Sequence, residues 1–289
     1  MKPLRSQIFN HAISGRKAAK GLGMLLVYRG TFLGGLVGAL LAFVLNLPAQ
    51  WVARGLNAAS NGQVQLQAAK GSIWTGSGQL VLTGGAGSLD ALALPGRLQW
   101  HLNFALNEKL APSLNLKVQA TCCMPQAVKL QISPLQFLRT WQLKVDDHQS
   151  NWPAQWLSGL GTPWNTLQPE GPLVLETQQL VLEFGQQSMH VAGSLSLTAL
   201  DLSSKLSTLK PMGTYQLSLA GNANRAAGPS LSLTTQSGSL LLNGTGQWQG
   251  SHFQFRGEAA AVPEHAAALS NLLNIIGRRQ GARSLLSLG

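Results

Sequence analysis

Residues 98–104 read Leu-Gln-Trp-His-Leu-Asn-Phe and alternate apolar with polar side chains. Successive side chains of a strand point to opposite faces of a sheet, so this alternation predicts a strand with one apolar and one polar face. Glycine and proline turn signals separate similar segments on both sides of it. These segments are residues 64–67, 79–82, 114–118, 128–132, 173–175, 180–184, 193–200, 215–220, 230–235, 239–242 and 253–255.

The repeated alternation predicts a mainly β fold, an antiparallel β-rich domain with a few short helices. A curved open sheet and a sandwich give the same alternation, so both stay open. Residues 151–172 are rich in Trp, Gly and Pro, which indicates a boundary between two halves of the region 48–289. A short helix is predicted at 153–160, and Leu spacing at i, i+3 and i+4 predicts a second at 263–276. Residues 284–288 could add a last strand.

A long uncharged stretch precedes the β region, because no charged residue lies between Arg29 and Arg54. Residues 30–47 within it read GTFLGGLVGALLAFVLNL, and about 20 apolar residues in a helix cross a bilayer. We therefore predict a transmembrane helix at 30–47. A cleaved signal peptide and a buried core helix are the alternatives, but 29 residues come first and no clean small-x-small cleavage site follows Leu47.

The flanks of this stretch predict its orientation. Residues 1–29 carry six Lys or Arg and no acidic residue, and only Arg54 and Lys70 follow closely. Positive flanks stay in the cytoplasm, so we expect a basic cytoplasmic leader, a single inner-membrane pass and a periplasmic region from 48 to 289 in a Gram-negative cell. Trp51 would lie at the membrane interface.

Small residues recur every four positions within the predicted span, at Gly30, Gly34, Gly38 and Ala42. In a helix these positions form one stripe, along which a second helix can approach closely. We therefore expect a candidate helix-packing stripe there, although glycine is common in membrane helices in any case. Inner-membrane lipids are the other expected neighbours of this segment.

Composition argues against several classes of function. The chain has a net charge of +11, but six of its Lys and Arg residues belong to the leader. The rest of the chain has fifteen Lys or Arg and ten acidic residues. They are scattered, without a basic stripe interleaved with aromatics, so nucleic-acid binding is not expected. Only 11% of residues are charged, which favours an exported β-rich protein over a cytosolic enzyme.

The sequence carries few signals of catalytic or metal chemistry. The six His show no metal-ligand spacing, and there is no nucleophile elbow or phosphate-binding loop, so no catalytic residue, metal or cofactor is predicted. Asp146-Asp147-His148 is interpreted as a hydrated turn. Cys122 and Cys123 are adjacent, and the favoured interpretation places them on opposite faces of a strand end rather than in a strained vicinal disulfide.

Three stretches of the sequence stand out together. They are Lys70-Gly71-Ser72-Ile73-Trp74-Thr75-Gly76, Pro95-Gly96-Arg97-Leu98-Gln99-Trp100, and the closing region from Gly257-Glu258-Ala259 to Leu272-Leu273-Asn274-Ile275-Ile276-Gly277. In this order and at this spacing they resemble the type II secretion system protein N family. The resemblance runs from the anchor to the C-terminus, and the Gly-x-x-Trp-x-Gly motif is shared with AsmA-like proteins. Within it, Gly71 and Gly76 are expected as turn formers and Trp74 and Trp100 as core residues.

The resemblance implies a non-enzymatic accessory component of the machine that exports folded proteins across the outer membrane. Its expected partners are other inner-membrane components of that machine, and a homo-oligomer stays open. The alternative function is an AsmA-like module that handles lipids or outer-membrane proteins in an apolar groove. The excess of Leu-x-Leu strands motivates it, and a large uncovered apolar area would favour it.

Overall fold

The computed structural model describes residues 34–106, 111–135, 139–185, 189–221, 228–249 and 252–288. The chain divides into two compact units, Met1–Leu47 and Pro48–Gly289. Helix α1 is described over residues 34–45. The other helices are α2 Gln50–Ala59, α3 Trp164–Leu167 and α4 Ala266–Ile276, with 3-10 helices at Ala154–Leu160 and Pro263–His265.

The strands are β1 Val64–Gly71, β2 Thr75–Thr83, β3 Ala91–Ala93, β4 Leu98–Leu106, β5 Pro112–Ala120, β6 Val128–Leu135, β7 Thr140–Val145, β8 His148–Pro153, β9 Pro169–Glu170, β10 Pro172–Phe184, β11 Met189–Ser204, β12 Gly213–Ala220, β13 Ser230–Gly238, β14 Leu240–Gln249, β15 His252–Ala261, β16 Arg278–Gln280 and β17 Arg283–Leu288.

The first unit is described only from residue 34 onwards. Its helix α1 exposes large apolar side chains, with Leu36 at 60% and Leu40 at 62%. Among the described residues, no helix combines the length and the apolar character needed to cross a membrane. The predicted leader at 1–29 and the first residues of the predicted span, 30–33, lie outside the described residues. The transmembrane helix therefore stays a prediction.

The second unit is built on one antiparallel sheet in which chain neighbours pair in turn. The main order runs from β1 through β2, β4, β5, β6, β7, β10, β11, β12, β13, β14 and β15 to β17 and β16. The short strand β3 pairs with β2, and β9 pairs with the end of β11. The prediction of a mainly β, antiparallel domain with few helices is confirmed. Its division into halves near 151–172 stays a prediction.

Strands β7 and β8 form one line along β10, which pairs with both of them. Asp146 and Asp147, which the sequence predicts in a hydrated turn, are exposed in the short irregular segment between these two strands, and His148 begins β8. The carboxylate of Asp147 accepts a hydrogen bond from the backbone N–H of Gln179 at 2.6 Å. Thr177 donates its hydroxyl to the carbonyl of Asp146 at 2.9 Å. Polar residues here hold a bulge, which alternation in sequence cannot distinguish from a turn.

Bulges interrupt β1, β10 and β11, at three of the four register shifts in the described strand pairings. Each contains a non-glycine residue with positive φ, namely Ala68 at 48°, Gln179 at 47° and Asp201 at 46°. Such a backbone is costly for an L residue, and each is held by a side chain nearby. Arg97 donates to the carbonyl of Ala68 at 2.8 Å, and Thr214 accepts from the N–H of Asp201 at 3.1 Å. Bulges bend strands and increase their twist.

Helical segments cover parts of the sheet and close separate core clusters. Helix α2, which sequence analysis missed, packs Val52 and Leu56 against buried Leu66 and Trp100. The predicted short helix at 153–160 is confirmed as a 3-10 helix at Ala154–Leu160, and the predicted helix at 263–276 is confirmed as a 3-10 helix followed by α4. Leu269, Leu272 and Leu273 of α4 are buried, as their spacing predicts. Ser284–Leu288 belongs to β17.

Cys122 and Cys123 form a vicinal disulfide, so the interpretation that placed them on opposite faces of a strand end is wrong. The physical reason is local: the pair lies in the turn between β5 and β6, where the alternation of a strand does not apply. Cys123 is buried at 5% exposure beside Leu94 and Ala120.

Candidate functional site

The motif residues lie in the β1–β2 hairpin, where Gly71 ends β1 and Gly76 lies within β2 instead of forming the turn that the sequence predicted. Gly71 has a φ of +92°, a conformation that favours glycine. The indole N–H of Trp100 donates to the carbonyls of Ser72 at 3.3 Å and Ile73 at 3.2 Å. Trp100 is buried at 6% exposure, as expected of a core residue, and its ring lies against Gly76. These residues stabilise the hairpin and leave no space for a ligand between them.

Trp74 behaves differently from Trp100. It is half-buried, and its ring centre lies 5.2 Å from that of Phe104, which is 68% exposed. The two aromatic rings form a tilted pair at one end of the sheet. Trp74 is therefore a partly covered surface residue, whereas the sequence predicted a core residue.

The structure describes three of the four residues of the predicted helix stripe. Gly34, Gly38 and Ala42 lie on α1, and Gly30 lies outside the described residues. A side-chain carbon added at Gly34 or Gly38 would meet nothing within 4 Å. The role of this stripe as a helix-packing surface stays a prediction.

The two faces of the sheet differ sharply in chemistry between β10 and β13. Leu175, Leu197, Leu217 and Leu233 stand opposite one another in neighbouring strands and form one row. The next row, one residue along, consists of Glu176, Ser196, Ser218 and Ser232 and points to the other side. We call the side that carries the leucine row the apolar face.

A cavity of about 420 Å³ lies on the apolar face, between the sheet and the segments α3 and α4. This volume falls within the range of small-molecule sites, about 300–1,000 Å³. Its floor comes from β10 to β14 and β17, and its cover comes mainly from the 3-10 turn at 154–160, α3 and α4. The lining residues are Leu157, Pro163, Trp164, Leu167, Pro169, Leu173, Leu197, Ala199, Leu202, Ser203, Ser204, Met212, Tyr215, Leu217, Leu233, Leu240, Leu242, Leu272, Ile275, Ile276 and Leu286.

The cavity reaches the surface at its cover. Trp164 of α3 and Ile275 of α4 both line it and are exposed at 38% and 43%. Large apolar side chains at the rim of an apolar cavity mark a binding site more strongly than scattered ones do. These two residues form the exposed rim of the cavity.

Polar groups in the lining are few, and none of the described lining residues is charged. The hydroxyl of Ser204 is already used, because it donates to the carbonyl of Leu167. Tyr215 is 4% exposed, and its hydroxyl is buried without a hydrogen-bond partner among the described residues. Burial raises the pKa of the Tyr215 phenol well above its ordinary value. The cavity lining can therefore contact hydrocarbon, but it provides almost no hydrogen-bonding groups for a polar ligand.

Sequence analysis predicted an apolar face but did not locate the cavity. The signal for the face is the Leu-x-Leu alternation, of which Leu197, Leu217 and Leu233 are part. The cover could not be found in the same way, because α3 has four residues and follows a turn rich in Gly and Pro.

Clusters of metal-ligating side chains are the next feature of the described part of the chain. No group of three or more His, Cys, Asp or Glu side chains comes together there in a way that could hold a metal ion. Asp147 is used at the bulge, and burial lowers the pKa of the neighbouring His148. The ion pairs Lys210–Glu170 at 3.2 Å and Arg283–Glu258 at 3.1 Å are both partly exposed.

A known protein family matches most of the second unit. Residues 61–285 match the family model described as Type II secretion system (T2SS), protein N. The match spans nearly the whole β region of the second unit, including the hairpin and the cavity. No curated protein and no solved structure gives a significant match.

Proposed function

Because this chain belongs to the type II secretion system protein N family, we propose that it serves that machine as a non-enzymatic accessory component acting through protein contacts. The observation that carries the proposal is the extent of the family match, residues 61–285, which leaves little of the β region unaccounted for. The chemistry of the described residues is consistent with it, since the cavity on the apolar face is lined by apolar side chains and by no charged side chain.

The proposed location is the inner membrane, with the N-terminus in the cytoplasm and residues 48–289 in the periplasm. The uncharged stretch 30–47 and its basic leader support this arrangement. Helix α1 would contact other inner-membrane components through Gly34 and Gly38. Strand β1 lies at one end of the sheet, and among the described strands it pairs only with β2. In the periplasm, a partner could add a strand to the other side of β1.

Deletion and crosslinking test this function together. Removal of the gene is expected to lower the amount of folded cargo outside the cell, and the full-length chain should restore it. Crosslinking in intact membranes is expected to recover other secretion components attached to the chain. Normal secretion after deletion, combined with no secretion component among the crosslinked proteins, would refute the proposal.

A second candidate function is the handling of lipid or another apolar ligand by an AsmA-like groove. The specific observation in its favour is the 420 Å³ cavity on the apolar face, with its exposed rim at Trp164 and Ile275. The two functions are compatible, since a secretion component can carry a ligand site. This second function is tested by extracting the chain from membranes and analysing the lipids that purify with it. If the chain carries no more lipid than a matched membrane protein does, the result would count against this function.

A further inference from the structure

The last strands of the sheet gather positive charge at one edge. Residues 252–288 contain four Arg, no Lys, two Glu and no Asp, and the four Arg belong to β15, β16 and β17. Strand β17 pairs with β15 on one side and with β16 on the other, and β16 has no second neighbour among the described strands. The far side of β16 is therefore a sheet edge, at the other end of the strand order from β1.

The arginines lie on both faces of this edge. Ser284 is fully buried, so its neighbours on β17, Arg283 and Leu285, point to the opposite, polar side of the sheet. Arg278 stands opposite Leu285 and shares that polar side, whereas Arg279 stands opposite Ser284 and points to the other side. Arg278, Arg279 and Arg283 are all exposed. A strand added beside β16 would thus meet one guanidinium group on each of its faces.

Acidic residues nearby neutralise only part of this charge. Glu258 forms an ion pair with Arg283 at 3.1 Å. Arg279 donates its Nε–H to the carbonyl of Gly281 at 2.8 Å, which holds the guanidinium group beside the hairpin turn and leaves its charge in place. Arg278 forms no ion pair with any carboxylate among the described residues. The edge therefore keeps an excess of positive charge that complements a negatively charged partner.

The backbone of β16 decides what kind of partner fits. Alternate residues of an edge strand direct their N–H and C=O groups away from the sheet, and an extended polypeptide pairs with these groups as a further strand. A free anion or a lipid headgroup can contact the guanidinium groups but cannot replace the missing strand. Leu285, which is 42% exposed beside Arg278 and Arg283, adds an apolar contact of the kind that protein interfaces contain.

A second copy of the same edge does not complement β16. Two β16 strands side by side would bring arginine next to arginine, and like charges directly opposite one another destabilise a strand pair. Charged side chains on edge strands prevent such self-pairing in many proteins. Opposite charges in cross-strand positions stabilise the pair instead, so the edge selects a strand that carries Asp or Glu.

We infer that the β16 edge is a docking site for an extended acidic segment of another protein, which pairs with Arg278–Gln280 as an added strand. Neighbouring residues of a strand point to opposite faces, so acidic side chains at two consecutive positions of that segment would face Arg278 and Arg279. This edge and its partner are distinct from the strand addition at β1 proposed above. The inference does not depend on the role in secretion.

Binding of synthetic peptides to the full-length chain in an uncharged detergent tests the site. The acidic probe is a fluorescent peptide of alternating Thr and Val with two adjacent Glu at its centre, and the basic probe carries two Lys in their place. Fluorescence anisotropy measures both affinities. The acidic probe is expected to bind at least about fivefold more tightly than the basic probe. Its binding should weaken as salt is added, because exposed charges are screened.

A charge-reversed double variant and a matched control separate the edge from the net charge. Arg278→Glu combined with Arg279→Glu is expected to weaken binding of the acidic probe at least about fivefold and to strengthen binding of the basic probe. Binding of the basic probe also shows that this variant is folded. Lys117→Glu combined with Lys129→Glu changes the net charge by the same amount, but these exposed residues face one another in β5 and β6. Both strands have neighbours on each side and no free edge for the probe, so either affinity should change less than about twofold.

Four results would overturn the inference. Equal affinities of the unaltered chain for the two probes would remove the preference for acid, and equal weakening of the acidic probe in the two double variants would mean that net charge alone binds it. An acidic probe N-methylated at its central residues cannot form the backbone bonds of an added strand, so unchanged affinity for it would exclude strand pairing. Displacement of the acidic probe by phosphatidylglycerol vesicles at the same concentration of negative charge would assign the arginines to a membrane surface. The role in secretion is judged separately, by deletion and crosslinking.

Discussion

The indole ring of Trp100 lies directly on the backbone of Gly76, with the Trp100 N–H donating to the carbonyls of Ser72 and Ile73. A side-chain carbon added at Gly76 would overlap the ring and would stand 2.7 Å from the carbonyl oxygen of Lys70. The hairpin motif is thus a packing unit in which a glycine leaves room for a tryptophan from the neighbouring strand β4.

Gly76→Ala is therefore expected to lower the free energy of unfolding by about 1–3 kcal/mol, because the added methyl group forces the indole or the strand to shift. Chemical denaturation of the full-length chain in detergent measures the change. Gly55→Ala is the control: Gly55 lies within α2 with nothing within 4 Å of the added carbon. It should stabilise the protein by up to about 1 kcal/mol, since alanine favours a helix. Destabilisation by Gly55→Ala equal to that of Gly76→Ala would contradict the packing argument.

Tyr215→Phe is expected to raise the free energy of unfolding by about 1 kcal/mol at neutral pH, because it removes a buried hydroxyl that has no partner among the described residues. Denaturation curves at neutral pH measure it. A loss of stability in the variant would mean that the hydroxyl makes a stabilising hydrogen bond in solution.

Tyr215 is also expected to lower the stability of the protein at alkaline pH. Burial raises the pKa of the folded phenol above its ordinary value of 10.0, so the folded state keeps a proton that the unfolded state loses. Stability therefore falls as the pH rises above about 10, by up to about 1.4 kcal/mol per pH unit. The Tyr215→Phe protein lacks this contribution. Parallel pH profiles of the two proteins above pH 10 would show that Tyr215 does not titrate in this way.

Leu269→Ala is expected to destabilise the second unit by about 2–5 kcal/mol, because Leu269 is fully buried where α4 packs on the sheet. Ile275 lies on the same helix and is 43% exposed, so Ile275→Ala should cost less than about 1 kcal/mol. Thermal unfolding of both variants makes the comparison. Similar costs for the two would mean that α4 does not pack in this orientation.

Gly34→Leu combined with Gly38→Leu tests the proposed helix contact. Larger side chains would hold a partner helix away, so capture of secretion components and cargo export should both fall while the chain still fractionates with membranes. Gly35→Leu, outside the stripe, is the control and should leave both unchanged. Full export and full partner capture in the double variant would mean that this segment serves only as a membrane anchor.

Local patterns predicted much of the strand content. The alternation at 98–104 and 215–220 placed β4 and β12, because a period of two needs only neighbouring residues to be recognised. The same rule failed where a strand is interrupted: segments 173–175 and 180–184 are one strand, β10, bent by the bulge at Gln179. Helix α2 was missed because its first four residues, 50–53, continue the uncharged stretch before it, which hides the start of a separate helix.

The sequence by itself determined the period of the strands, the apolar side of the sheet and the family resemblance, because side-chain order along a strand decides which residues share a face. Tertiary structure alone decided the rest. It joined β7 and β8 along β10, set Cys122 and Cys123 in a turn, and brought α3 and α4 over the leucine row to enclose the cavity. These features depend on contacts between residues far apart in the chain, such as Leu197 and Leu286, and no local pattern encodes the distance between them.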